Sequence, residues 1–191
     1  MRSRFALWLI GCACSNHSNS GKPTAESGRD GAVSAIAWRW DGPPPDRERP
    51  VASIEGPRGT HYRYADGPNH FGVVFKKETD SILWNHSLGA RSGSAALRLG
   101  DSGDALYVAH YNPIASGAEL IALRSDTGDE LWRVNVEGLG PIPHSQYLNA
   151  VELQQIDGMI VVFGWESGGR YVEAHDRKTG RMVSNRTLSS P

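Results

Sequence analysis

Cysteine is nearly absent from this chain. Of 191 residues only two are cysteines, Cys12 and Cys14. The rest of the chain can therefore hold no disulfide, no thiolate metal site and no cysteine nucleophile. Clustered positive charge is missing too: 20 Lys and Arg against 21 Asp and Glu give a formal charge of −1. No basic block follows the extreme N-terminus, which excludes the phosphate-neutralising surface that a nucleic acid requires. There is no Gly-x-Ser-x-Gly elbow and no glycine-rich loop opening a helix. The seven histidines, His17, His61, His70, His86, His110, His144 and His175, are scattered without the spacing of a zinc motif. They read as surface or turn residues, and no metal site is expected. What the chain does have is 22 glycines and 11 prolines, so many turns and short strands rather than long helices. Hydrophobic residues at 39% and charged residues at 21% place it among globular proteins.

The N-terminus reads as an address. Arg2 and Arg4 precede a short apolar run from Phe5 to Gly11, a charged region and a hydrophobic region too short to span a bilayer as a helix. Leu9-Ile10-Gly11-Cys12 resembles the bacterial lipobox. That resemblance implies a signal peptide over residues 1–11, lipidation at Cys12, and sorting to the outer membrane, since Ala13 is not the retention Asp; the periplasmic side is favoured over the cell surface. An ordinary signal peptide with incidental cysteines is the alternative. Residues 12–31 are rich in Ser, Asn and Gly and read as a flexible tether, with the globular part over residues 32–191. Residues 33–40 read as a strand ending in the rigid Pro43-Pro44-Pro45 turn, and Pro141 to His144 as a connection between repeats.

Beyond the tether the sequence repeats. Three segments align on one threonine: Val74-Phe-Lys-Lys-Glu-Thr79-Asp80-Ser-Ile-Leu-Trp84, Ala122-Leu-Arg-Ser-Asp-Thr127-Gly128-Asp-Glu-Leu-Trp132 and Ala174-His-Asp-Arg-Lys-Thr179-Gly180-Arg-Met-Val-Ser184. The threonines lie 48 and 52 residues apart, close to the period of propeller blades. Each segment reads as a hairpin with a four- or five-residue loop. Gly128 and Gly180 stand where positive φ is needed, and Asp80 holds that place in the first copy. Upstream, residues 94–99 with 105–109, and 149–154 with 159–163, read as further strand pairs, the second around an Asp157-Gly158 turn. Residues 159–163 are apolar on both faces, as in a strand between stacked sheets. In the first copy, residues 51–54 and 60–64 are weaker strand candidates. The expectation is an all-β fold, a partial β-propeller of about three four-stranded antiparallel blades near residues 46–90, 94–137 and 146–189.

The Thr-Gly-x-x-x-Trp ending resembles the pyrroloquinoline-quinone-type repeat of quinoprotein-like β-propellers, over about residues 50 to 189. The resemblance implies that Trp84 and Trp132 dock between neighbouring blades. The copies depart from the pattern: Lys76 and Arg124 replace an Asp that only Asp176 retains, Asp80 replaces Gly, and Ser184 replaces Trp, so the third blade lacks its docking ring. Quinoprotein dehydrogenases hold their quinone on the axis of eight blades, beside an adjacent-cysteine disulfide, a calcium ion and a catalytic Asp. This chain has no such cysteines and too few blades, so no cofactor and no catalytic residue is expected.

The functional expectation is a non-catalytic, membrane-tethered module for protein–protein interaction in the bacterial envelope, with envelope proteins as partners. The alternatives are a degenerate quinoprotein-type enzyme or small-molecule binder, and a fragment of a longer propeller protein. Because blades bury their faces only against neighbours, the two end blades should leave apolar faces uncovered, most severely at residues 159–163. Self-association or docking of a partner would cover them.

Overall fold

The structure is a computed structural model that describes residues 52–112, 116–140, 150–166 and 169–188. Cys12, the tether, the strand expected over residues 33–40 and the Pro141–His144 connection lie outside the described residues. Among the described residues, twelve strands form three four-stranded antiparallel sheets, each a simple meander in chain order. The first sheet contains β1 (Ser53–Glu55), β2 (Thr60–Asp66), β3 (Phe71–Glu78) and β4 (Ser81–Arg91). The second contains β5 (Ser94–Leu99), β6 (Ala105–Asn112), β7 (Gly117–Arg124) and β8 (Glu130–Asn135). The third contains β9 (Ala150–Ile156), β10 (Met159–Glu166), β11 (Gly169–Asp176) and β12 (Met182–Leu188). The described residues contain no α-helix, only two single-turn 3-10 segments at Pro57–Gly59 and Pro68–His70.

Strand alternation explains why the sheets stack. Along β6 every side chain is buried, and successive residues point to opposite faces. Leu106 and Val108 pack with Tyr62, Tyr64, Val74, Trp84 and Leu88 of the first sheet. Tyr107, Ala109 and Tyr111 pack with Val151, Leu153, Ile160, Val162 and Tyr171 of the third. The middle sheet is thus buried on both faces, and its strands read as nearly continuous apolar runs. The first strand of the middle sheet, β5, lies against β1 and β2 of the first sheet and β9 of the third, and the fourth strands, β4, β8 and β12, are sheet edges. This is the layout of consecutive propeller blades.

The three aligned hairpins share one irregularity. Trp84 pairs with Lys76 and Ile82 with Lys77. Trp132 pairs with Ala122 and Glu130 with Leu123. Ser184 pairs with Ala174 and Met182 with His175. Leu83, Leu131 and Val183 are therefore bulged out of register at the same place in each blade. A bulge bends and twists an edge strand, which discourages further strand pairing there.

The turns differ between copies. In the second and third blades five residues join the strands, closed by Gly128 N–H to Arg124 O at 2.8 Å and by Gly180 N–H to Asp176 O at 2.9 Å. Gly128 and Gly180 have φ of 79° and 71°. In the first blade Glu78 pairs with Ser81, so the turn has two residues rather than four or five. The positive φ there, 52°, belongs to Thr79 and not to Asp80. Without a glycine at the fourth loop position the wider turn has no residue suited to close it, and the strands zip further.

The end faces differ as well. On the outward face of the first sheet Phe71 is 38% exposed, and Val73 and Phe75 are half-buried. On the outward face of the third sheet, Val161, Phe163, Val172 and Ala174 form a cluster drawn from that sheet alone, each at most 2% exposed. The expectation of an uncovered apolar face at residues 159–163 is thus not met; that patch is withdrawn from water, as the hydrophobic effect favours.

The turn glycines give a graded test. At Gly158 (φ 79°) an added Cβ meets nothing within 4 Å, whereas at Gly128 it would stand 2.6 Å from the Trp84 indole. Gly158→Ala should cost only left-handed backbone strain, about 1–2 kcal/mol. Gly128→Ala adds overpacking, for a total of about 2–5 kcal/mol. Urea unfolding of both variants checks the order, and equal losses would contradict the close approach.

Candidate functional site: the contacts between blades

The aligned tryptophans do sit where one sheet meets the next. Trp84 of β4 is 8% exposed and lies flat over Gly128 in the turn of the second sheet. Its indole Nε1–H donates to Ser125 O at 3.1 Å. Trp132 of β8 is half-buried, lies over Gly180 in the turn of the third sheet, and donates to Arg177 O at 3.2 Å. Ser125 and Arg177 each precede the aligned threonine by two residues, so the two contacts are the same contact repeated. Only glycine allows it, because any Cβ would occupy the space of the ring. Ser184, in the aligned place of the third blade, is half-buried.

Each tryptophan has a tyrosine partner that the sequence reading did not single out. Through the ladder, Tyr62 pairs with Lys76, which pairs with Trp84. Likewise Tyr107 pairs with Ala122, which pairs with Trp132. Tyr62 and Trp84 are 6.0 Å apart by ring centroid, as are Tyr107 and Trp132, a tilted arrangement that adds to area burial. The tyrosine hydroxyls donate to the same carbonyls, Tyr62 to Ser125 O at 3.3 Å and Tyr107 to Arg177 O at 3.4 Å. In the first pair Lys76 Nζ also donates to Ser125 O, at 3.1 Å, and lies 5.3 Å from the Tyr62 ring centroid.

The threonines hold the turns that present these carbonyls. Thr127 Oγ1 donates to Asp129 Oδ2 at 2.6 Å, and Asp129 N–H donates to Thr127 Oγ1 at 3.3 Å. In the third blade Asp176 Oδ1 accepts from Thr179 Oγ1 and Thr179 N–H, each at 2.9 Å, and from Lys178 N–H at 3.1 Å. These donors hold the Asp176 carboxyl below its ordinary range. Thr79 has no such role in the two-residue turn; it is exposed, as is Asp80.

Two of the seven histidines depart from the expectation of surface or turn positions: His110 is 0% and His175 1% exposed. Both lie on strands of doubly covered sheets, where isolated polar positions are swallowed with their apolar neighbours. His110 of β6 stacks on Tyr64 with ring centroids 5.6 Å apart, and neither ring nitrogen has an aligned hydrogen-bond partner. Burial, and secondarily the Arg133 charge, lower its pKa to about 4. Arg133 itself joins blades: Nη1 donates to Leu88 O of β4 at 2.8 Å and to Glu119 at 3.1 Å, while Nη2 reaches Glu130 at 2.8 Å.

The contact between the second and third sheets carries a buried polar chain on alternate residues of β11. Tyr171 donates its hydroxyl to Glu173 Oε2, which also accepts the Glu137 N–H at 3.1 Å. Glu173 Oε1 is 2.7 Å from His175 Nε2, though off the axis of a good hydrogen bond. His175 Nδ1 lies 2.8 Å from Gly180 O. Burial and the adjacent carboxylate push the Tyr171 hydroxyl above its ordinary value. The chain therefore runs from the segment after β8 to the turn on which Trp132 rests. The signal was present as Tyr-Val-Glu-Ala-His in an otherwise apolar stretch. Among the described residues no three His, Cys, Asp or Glu side chains are grouped as metal ligands.

No family model matches the chain, and no curated protein does. Among solved structures it is similar to BamB from Moraxella catarrhalis at 17% identity and TM-score 0.47, over 71% of this chain and 36% of that one. Quinohemoprotein alcohol dehydrogenase ADHIIG from Pseudomonas putida HK5 is similar at 16% identity and TM-score 0.48, over 73% of this chain and 22% of that one. A GH43 glycoside hydrolase engineered to display endo-xylanase and exo-arabinofuranosidase activity is similar at 16% identity and TM-score 0.45, over 71% of this chain and 28% of that one. The chain thus spans between 22% and 36% of the length of these structures. At these identities the likeness reaches no further than the all-β, bladed architecture.

Neutral burial of His110 predicts a pH dependence. The unfolded chain takes up this proton near pH 6.5 and the folded chain only near 4, so the unfolded state binds more protons between these values. Stability is full above about pH 6.5, falls as pH drops toward 4, and is flat below, with a loss of about 3 kcal/mol. Denaturant titrations of wild type and His110→Phe at pH 7 and pH 4 should show that difference only in the wild type. Parallel losses in the two proteins would contradict it.

Proposed function

We propose that the chain is a non-catalytic protein-interaction module, anchored through Cys12 in a bacterial envelope. The observation that carries this reading is a row of exposed apolar side chains on the outward edge strands. Ile82 is 59%, Leu83 49% and Leu131 45% exposed, with Met182 at 36% in the next blade. Leu83 and Leu131 occupy the same bulged position in adjacent blades. Repeated apolar side chains on a polar surface favour a protein partner.

The polar groups brought together, main-chain carbonyls and side chains alike, point the same way. Ser125 O, Arg177 O, Arg133 and Glu173 are each engaged in joining one blade to the next. The clustering of titratable groups is accounted for by cohesion between blades. The envelope location rests on Gly11-Cys12 and the charged, then apolar, stretch before it, and an envelope protein is accordingly the proposed partner.

Two experiments test the proposal. Cys12→Ala should move the protein from the membrane to the soluble envelope fraction; unchanged membrane association would overturn lipid anchoring. Leu83→Ser with Leu131→Ser should abolish the proteins co-purified from solubilised envelopes. Surface changes of this kind should shift stability by no more than about 0.5 kcal/mol. An unaltered set of co-purified proteins would overturn the edge-strand surface.

A further inference from the structure

The contact between blades has a direction. Its donor half, a tyrosine and a tryptophan, lies on the face that each sheet turns toward the next: Tyr62 with Trp84, then Tyr107 with Trp132. Its acceptor half, a turn carbonyl and a glycine, lies in the following sheet: Ser125 with Gly128, then Arg177 with Gly180.

Each end of the described stack lacks one half. In the third sheet the register places Val161, Ala174 and Ser184 where the second has Tyr107, Ala122 and Trp132. At these three aligned positions there is neither an indole nor a phenol. In the first sheet the position of Ser125 and Arg177 is held by Lys77, inside β3 and paired with His61 and Ile82, so its carbonyl is not lifted into a loop. The position of Gly128 is held by Asp80. A single Cβ at Gly128 would already come within 2.6 Å of the ring, and Asp80 carries a carboxylate beyond its Cβ.

We infer that this contact is a one-way lock, closed at both ends: it admits the order first, second, third, and bars a second copy of this chain from joining as a further blade. The outward face of the third sheet supports this independently, since Val161, Phe163, Val172 and Ala174 are already withdrawn from solvent. Contacts between copies are left to other surfaces, such as the bulged edge strands. A chain whose end blades carried both halves could instead grow head to tail without limit, since a heterologous contact that fails to close into a ring makes filaments.

The test uses full-length chains carrying Cys12→Ala and Cys14→Ala, mixed in equal amounts. One chain also bears Asp80→Cys and the other Ser184→Cys. In a blade-like contact between copies these two sulfurs would meet as Trp84 meets Gly128. Under mild oxidant the mixed 80–184 disulfide should form within about twofold of the 80–80 and 184–184 disulfides, the level of random collision. A tenfold excess of the mixed product would overturn the inference. If the Ser184→Cys variant loses its β-sheet circular dichroism, Arg186→Cys, whose register partner Val172 puts it on the same face as Ser184, replaces it opposite Asp80→Cys and is read by the same ratios.

Discussion

Cohesion of the stack depends on a flat aromatic ring resting on a glycine. Trp84 over Gly128 and Trp132 over Gly180 bring an indole against bare backbone, so that dispersion and apolar burial act at short range. The same closeness lets the indole N–H reach a turn carbonyl, and a tyrosine hydroxyl joins it. Burying these polar groups would be costly if they were left unpaired; here each finds its partner in the next blade. A repeat protein is held by such nearest-neighbour interfaces, and this chain has two of them between described sheets.

The two interfaces share the lock but differ in what surrounds it. Between the first and second sheets, Ile121 and Leu123 supply an apolar filling, and the polar atoms gather at the edge around Arg133. Between the second and third, Glu173 and His175 stand in the aligned places and are fully enclosed. A buried polar chain adds little net stability over an apolar one, but breaking it is expensive. Its partners, the Glu137 N–H and the Gly180 carbonyl, lie in two different connecting segments. The polar chain thus fixes how the segment after β8 and the turn beneath Trp132 sit relative to one another.

Much of this architecture was legible in the sequence, because glycine, tryptophan and strand alternation leave strong local signals. The Thr-Gly-x-x-x-Trp phase gave the hairpins, and the apolar run at Met159 gave a strand covered on both faces. The first turn was misread because an alignment carries over loop length, whereas Asp80 lacks the conformational freedom that the longer loop demands. Tyr62 and Tyr107 were not legible as partners of the tryptophans: they lie on a different strand, and only the pairing register brings them onto the same carbonyl. His110, Glu173 and His175 were read by residue type, which favours the surface, while their burial is decided by the sheets on either side. The exposed leucines of the edge strands depend on a bulge, which no single copy reveals.

The central claim, that ring and glycine form one energetic unit, is tested most directly by a double-mutant cycle on Trp132→Ala and Gly180→Ala, followed by urea unfolding. Gly180→Ala should be costly in the wild-type background, through backbone strain and collision with the ring. In the Trp132→Ala background only the strain should remain, about 1–2 kcal/mol. The account predicts a coupling of about 1–3 kcal/mol between the two sites. Additivity within about 0.5 kcal/mol would contradict it.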